Sequence, residues 1–180
     1  IPHRHDLHEP YGNTPLHSIS TPELIAAWAN EPDLVNCSAA DFAFLDTETT
    51  GLSGGAGVLA FMVGIARFRP DHLEIRQYFL REAGEETAML AAISSYLAGA
   101  KAIVTFNGKA FDLPIMLNRA IITRIGNPFQ GLMHVDLLHL ARKLWKVRLP
   151  SRTLIQLEGS ILEFSRSEED VPGWVIPQLY

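Results

Sequence analysis

Phe42-Ala43-Phe44-Leu45-Asp46-Thr47-Glu48-Thr49-Thr50-Gly51-Leu52 constrains the rest of the chain more than any other stretch. Its first four residues form an apolar run suited to a buried strand, and Asp46 and Glu48 follow two residues apart. Strand side chains at i and i+2 point to one face, so the two carboxylates sit side by side. Like charges placed this way repel, and partial burial strengthens the repulsion. A divalent cation between them removes the conflict, and hard ions such as Mg²⁺ or Mn²⁺ take carboxylate oxygens. The competing reading is a solvated turn with two incidental acids. Phe42 to Leu45 is too apolar for that, and Thr50-Gly51 ends the strand sharply.

The 180 residues suit one domain with a substantial core. With 47% hydrophobic and 19% charged residues, the chain is globular rather than disordered. A net charge of −5 argues against a surface that binds polyanions over its whole extent, yet leaves room for a local basic strip. The longest apolar run, residues 58–66, falls far short of the ~20 residues needed to span a bilayer, so no membrane association is expected. A single cysteine, Cys37, and the lack of a charged-then-apolar leader indicate a cytoplasmic, reducing location. The chain begins at Ile1 and stops at Tyr180 after a Pro-containing stretch, which suggests a piece of a longer protein.

Residues 1–40 read as an N-terminal tail with a short helix. Residues 1–20 are expected as loop, with His3, His5 and His8 solvated. Thr21-Pro22-Glu23 is a helix start, and Glu31-Pro32-Asp33 ends that helix after about Asn30. Residues 41–48 are the first core strand. The Gly-rich segment 51–57 suits either close backbone approach to phosphate or a flexible hairpin connection; no Lys or helix follows, so it is not a nucleotide P-loop. Residues 58–68 and 73–80 read as strands joined by a turn at Pro70-Asp71, and such short links imply antiparallel pairing. Helical spacing over 85–97 precedes a strand at 102–106, a helix at 111–122 and a short strand at 134–136. Helices at 137–145 and 154–162 follow, then a loop from 165 to 180. This order predicts an α/β fold: a mixed five-stranded sheet, three antiparallel strands and then parallel ones, with helices on both faces and the first strand central.

Val104-Thr105-Phe106-Asn107-Gly108-Lys109-Ala110-Phe111-Asp112 is the second informative stretch. A buried strand ends at Asn107, and Asp112 lies in the first turn of the helix that follows. If this strand neighbours the first, its end lies beside Asp46 and Glu48, where ligands gather in open α/β sheets. Asp112 then becomes a third carboxylate, against the alternative of an acid that merely favours the helix dipole. Asn107 either holds a substrate or holds the turn, and Phe111 either packs under a base or enters the core. Three acids around two cations suit phosphodiester cleavage. There is no G-x-S-x-G, and Cys37 has no His near it in sequence, so Ser or Cys nucleophile chemistry is poorly supported.

The stretch 44–52 resembles the first exonuclease motif of the DnaQ-like superfamily, which has a ribonuclease-H-like fold, and 106–112 resembles its second. The Gly-rich segment, His134-Val135-Asp136-Leu137-Leu138-His139 with Ala141-Arg142-Lys143-Leu144-Trp145, and Asp170-Val171-Pro172-Gly173-Trp174 with Ile176-Pro177 and Tyr180 resemble more narrowly the YprB-type ribonuclease-H-like domain. The resemblance covers residues 41–180. It implies 3′-to-5′ exonuclease chemistry on DNA or RNA with two Mg²⁺ or Mn²⁺ ions, with Asp46, Glu48 and Asp112 as catalytic metal ligands. The family completes its site with a His or Tyr and a last Asp on a late helix, which in the YprB-type pattern follows Tyr180. The domain at 41–180 is therefore expected to stop before its last motif. Asp136 and His139 are close enough in sequence to suggest substitutes, but Asp136 falls where the resemblance implies a structural role.

Thr49, Asn107 and Phe111 are the expected substrate contacts around the acids. Arg142, Lys143 and Lys146, with Arg148 and Arg152 beyond, form a basic cluster interleaved with Trp145. Such a strip attracts phosphates and an aromatic stacks bases, although a solvated helix face has the same pattern. Two rivals stand beside the exonuclease: a catalytically incomplete ribonuclease-H-like module that binds nucleic acid, and a hydrolase of small phosphate esters.

Overall fold

The computed structural model of the chain describes residues 1–16, 22–51, 57–166, 171 and 175–180. Its strands are β1 (Pro2–Asp6), β2 (Pro10–Tyr11), β3 (Thr14–Pro15), β4 (Phe42–Thr49), β5 (Ala60–Phe68), β6 (His72–Phe79), β7 (Ala102–Thr105) and β8 (Met133–Asp136). Its helices are α1 (Pro22–Ala29), α2 (Glu86–Leu97), α3 (Asp112–Ile122), α4 (Leu137–Trp145), α5 (Leu154–Ile161) and α6 (Ile176–Leu179). Among the described residues no helix is long and apolar enough to cross a membrane.

The main sheet has the order β1-β6-β5-β4-β7-β8. β4 is central as expected, antiparallel to β5 and parallel to β7. The sheet has six strands rather than five, because part of the expected N-terminal loop is β1, antiparallel to β6. All five residues of β1 are exposed, so no apolar alternation marks it. It is held by the backbone groups that the edge of β6 would otherwise leave open. The expected loop at 165–180 likewise contains α6, with Tyr180 stacked on Phe61 at 4.4 Å between ring centres. Thr21, the expected cap of α1, and positions 52–56 of the Gly-rich segment lie outside the described residues.

The sheet buries both faces. On one, α2 and α3 cover β4, β5 and β7 through Leu90, Ile93, Ile115 and Met116, packed against Leu45, Val63 and Ile65. On the other, Ala26 of α1 and Leu140 of α4 meet Phe42, Val104 and Val135. Ile93 is fully buried, and cutting it to Ala would cost about 3 kcal/mol.

Two polar ties place the elements that matter for the site. Arg119 of α3 grips Glu86 of α2 with two parallel bonds, Nε to Oε1 at 2.6 Å and Nη2 to Oε2 at 2.5 Å. Both side chains are largely buried, so the fork fixes α3 against α2. Arg67 of β5 donates to the carbonyls of Tyr96, Ala98 and Ala40 at 2.9, 3.1 and 3.2 Å. It thereby joins the carboxyl end of α2 to the turn that leads into β4, where helix carbonyls lack partners of their own.

Candidate active site

β4 leaves the core as it runs. Phe42, Ala43 and Leu45 are buried, Asp46 is exposed, and Thr47, Glu48 and Thr49 are half-buried. The pairing with β5 shifts register between Glu48 and Thr49. Such an irregularity turns the following side chains away from the regular ladder. β7 runs beside β4 with Phe42 opposite Ala102 and Phe44 opposite Val104. Continued in that register, positions 106–108 after β7 come to the level of positions 46–48 of β4.

The turn after β7 is tightly specified. Asn107 has a φ of +68°, a conformation that Asn tolerates better than most residues. A Cβ on Gly108 would lie 2.5 Å from Thr105 Cβ, so only glycine passes there. The buried carboxylate of Asp136 accepts from the amides of Asn107 at 2.8 Å, Lys109 at 3.0 Å and Leu138 at 3.0 Å. It caps α4 and pins the turn with the same two oxygens. Asp136 is therefore a structural acid, as the resemblance implies.

Asp112 opens α3 and is 8% exposed. Thr47 Oγ1 donates to its Oδ1 at 2.5 Å. Thr47 stands between the two acids of β4, so Asp112 is tied to this stretch of the strand through Thr47. Strict alternation puts Thr47 on the opposite side from Asp46 and Glu48, and sequence reasoning gave it no role.

The electrostatics mark this corner. Burial pushes the Asp46 carboxyl above its ordinary value, and the charge of Asp112 pushes it further. Its outer atoms meet solvent, yet protein crowds it closely enough for desolvation to be the leading cause. Glu48 is raised by burial first, then by the charges of Asp46 and Asp112. Asp112 is raised by burial, with the Thr47 hydrogen bond pulling the other way. Arg166 lowers Asp46 electrostatically, although its guanidinium is also bound to Glu158. Nothing local marks Arg166 in the sequence, because its approach depends on how α5 packs.

These oxygen donors match a hard divalent cation in chemistry, and each acid holds its proton more tightly because of its surroundings. Their arrangement is not yet a cage: among the described residues no three His, Cys, Asp or Glu side chains are grouped to hold a metal ion. The Asp112 hydrogen bond to Thr47 is the contact such a cage would have to exchange.

The expected substrate contacts divide. Thr49 Oγ1 donates to the Gly51 carbonyl at 2.9 Å and shapes the turn after β4. Asn107 is half-buried, its amide bound to Asp136. Phe111 is 42% exposed, so it does not enter the core and keeps a face for a ligand. Arg142 and Lys146 are exposed, whereas Lys143 donates to the Trp28 carbonyl at 2.8 Å and so reaches toward α1.

The RNase H superfamily model matches residues 43–180. YprB of Bacillus subtilis (strain 168), described as uncharacterized, is 41% identical over 138 residues, which are 76% of this chain and 33% of that protein. A solved structure of exonuclease I superposes with a TM-score of 0.59 at 19% identity, covering 70% of this chain and 36% of the other. The zinc-bound complex of E. coli exonuclease I with single-stranded DNA gives 0.59 at 17% identity, covering 77% and 39%. The chain spans about a third of the length of these relatives. At such identities the structural likeness shows the shared fold.

Proposed function

This chain belongs to the RNase H superfamily, and on that premise we propose that it is a metal-dependent 3′-to-5′ exonuclease domain acting on nucleic acid. The reading is supported by the raised proton affinity of Asp46, Glu48 and Asp112, by the charge that Asp112 adds to both acids of β4, and by the Thr47 hydrogen bond that ties Asp112 to that strand. Asp46 and Glu48 would hold divalent cations, two Mg²⁺ or Mn²⁺ in the family pattern, with Asp112 as the third carboxylate. Bound there, such ions supply Lewis acidity that activates water and neutralises charge on the phosphate and the departing 3′ oxygen.

The chain's own residues do the rest. Asn107, fixed by Asp136, orients the substrate beside the acids. The open face of Phe111 packs against a base, Thr49 keeps the turn after β4 in shape, and Arg142 and Lys146 draw the phosphate backbone. The single cysteine is in keeping with a cytoplasmic site of action. The solved exonuclease I complex with a dT13 oligonucleotide, at 19% identity and a TM-score of 0.58, supports nucleic acid as the ligand of this fold.

Incubation of the chain with a 3′-labelled oligonucleotide and Mn²⁺ tests this reading. Release of label is expected, with none from Asp46→Ala; equal release from that variant rejects the assignment. The lack of a ready three-ligand group among the described residues favours one alternative, a nucleic-acid-binding module without chemistry. Calorimetry separates the two, because only the enzyme binds Mn²⁺ in a way that depends on Asp46.

A further inference from the structure

We propose that a cleft beside the Asn107 turn holds the backbone phosphates of one nucleic-acid strand inward of the scissile bond, with Arg142 and Arg152 as its anion contacts. The identity of the ligand and the use of Arg142 rest on the nuclease reading; the strand path and Arg152 do not follow from that reading alone.

The cleft has a volume of about 460 Å³ and lies between the end of β7, α4 and the loop before α5. Phe106 and Asn107 form one wall, Arg142 comes from α4, and Ser151, Arg152 and Thr153 come from the loop. Two guanidiniums from separate elements thus share one cavity with two hydroxyls. Among the described residues no carboxylate is paired with either arginine. Arg152 donates through Nη1 to the carbonyls of Leu149 and Pro150 at 3.1 and 3.3 Å, which sets the loop and leaves its other donors for an anion.

Asn107 belongs both to this cleft and to the turn that leads to Asp112. The cleft therefore opens next to the turn from which a strand at the acids would arrive. Phe106 is half-buried, so part of its ring meets the cavity and can stack a base. A space of this size takes roughly one or two nucleotide units, which fits a single strand and not both strands of a duplex. The basic cluster seen in the sequence is thereby split: Arg142 and Arg152 face the cleft, while Lys143 is bound to α1.

Fluorescence anisotropy of a labelled thymidine 15-mer, titrated with salt in EDTA, tests the cleft without any chemistry. Arg142→Gln should weaken binding about tenfold at low salt. It should also lower the slope of log K against log salt by about 0.7, the value for one single-strand phosphate contact. Arg152→Gln should act alike, and Phe106→Leu should weaken binding with no change in slope. Lys101→Gln removes a charge at the opposite end of β7 and should change neither quantity. A duplex of the same length should bind more weakly than the single strand. An unchanged slope in Arg142→Gln, or an equal loss in Lys101→Gln, overturns the proposal. If melting shows that Arg152→Gln disturbs the loop, Arg142→Gln decides alone. If Asp46→Ala still cleaves while Arg142→Gln behaves as stated, the acid assignment fails and the subsite stands; the reverse pattern removes the subsite and keeps the enzyme.

Discussion

Two groups of charged side chains on the same sheet are built in opposite ways. On β6, Glu74 accepts from Arg69 Nε at 2.7 Å and Arg76 Nε at 2.9 Å, and Tyr96 of α2 donates to it at 3.2 Å. Arg76 also lies over the Tyr96 ring at 4.3 Å. Burial alone would raise the Glu74 carboxyl, but hydrogen bonds from Arg76, Arg69 and Tyr96 overcome this and hold it at about 2. At the end of β4, Asp46, Glu48 and Asp112 have no ion pair among the described residues, and all three shift upward, Arg166 offsetting Asp46 only in part. The protein thus has the means to neutralise a carboxylate and does so where only structure is at stake. Where it leaves acids in conflict, a neutralising partner from outside is the simplest physical completion.

The largest break in this contrast is catalytic. Asp46→Asn should lower Mn²⁺-dependent cleavage by roughly a thousandfold or more, measured as initial rates on a labelled oligonucleotide. Next comes Glu74→Gln, which leaves two guanidiniums short of a full partner and should cost roughly 2 kcal/mol in urea denaturation. Asp136→Ala should cost a similar amount by unpinning three amides, and should slow cleavage although Asp136 holds no ion in this scheme. In EDTA, Asp46→Asn should stabilise the fold slightly, because it removes a charge the folded state disfavours. Mn²⁺ should raise the melting temperature of the wild type and leave that of Asp46→Asn in place.

The smallest effect is in the pH profile. The raised site acids take up protons in the folded state first, so acidification through their window adds a little stability, under about 1 kcal/mol. Glu74 has the opposite sign: its contribution is present above the ordinary glutamate range and is lost as pH falls from 4.5 toward about 2. Asp46→Asn should flatten the first limb and Glu74→Gln the second.

What could be read in advance was what the chain writes locally. The apolar run before Asp46, the helical spacing of 85–97 and the Asn107-Gly108 break are local, and β4, α2 and the β7–α3 turn are found where they predict. β7 also runs parallel beside β4, as the crossover predicts, and Asp112 is bonded to Thr47 of β4. The rest depended on tertiary neighbours. β1 carries no apolar signal and exists because β6 offers an edge. Phe111 suits a core by its type, yet its place at the end of the turn exposes it. Lys143 and Arg142 are adjacent in sequence, and only the docking of α1 against α4 tells them apart. Thr47 gained a role because Asp112 came to it from another element.

Arg67 carries one further consequence. Its single guanidinium fastens the last carbonyls of α2 and the Ala40 carbonyl ahead of β4, so neither end can fray while the other stays shut. Amide protons at the end of α2 and the entry to β4 should therefore exchange with deuterium as one cooperative unit. The acidic corner would then borrow its rigidity from a residue of the neighbouring strand, opposite Ala43 at the far end of β4.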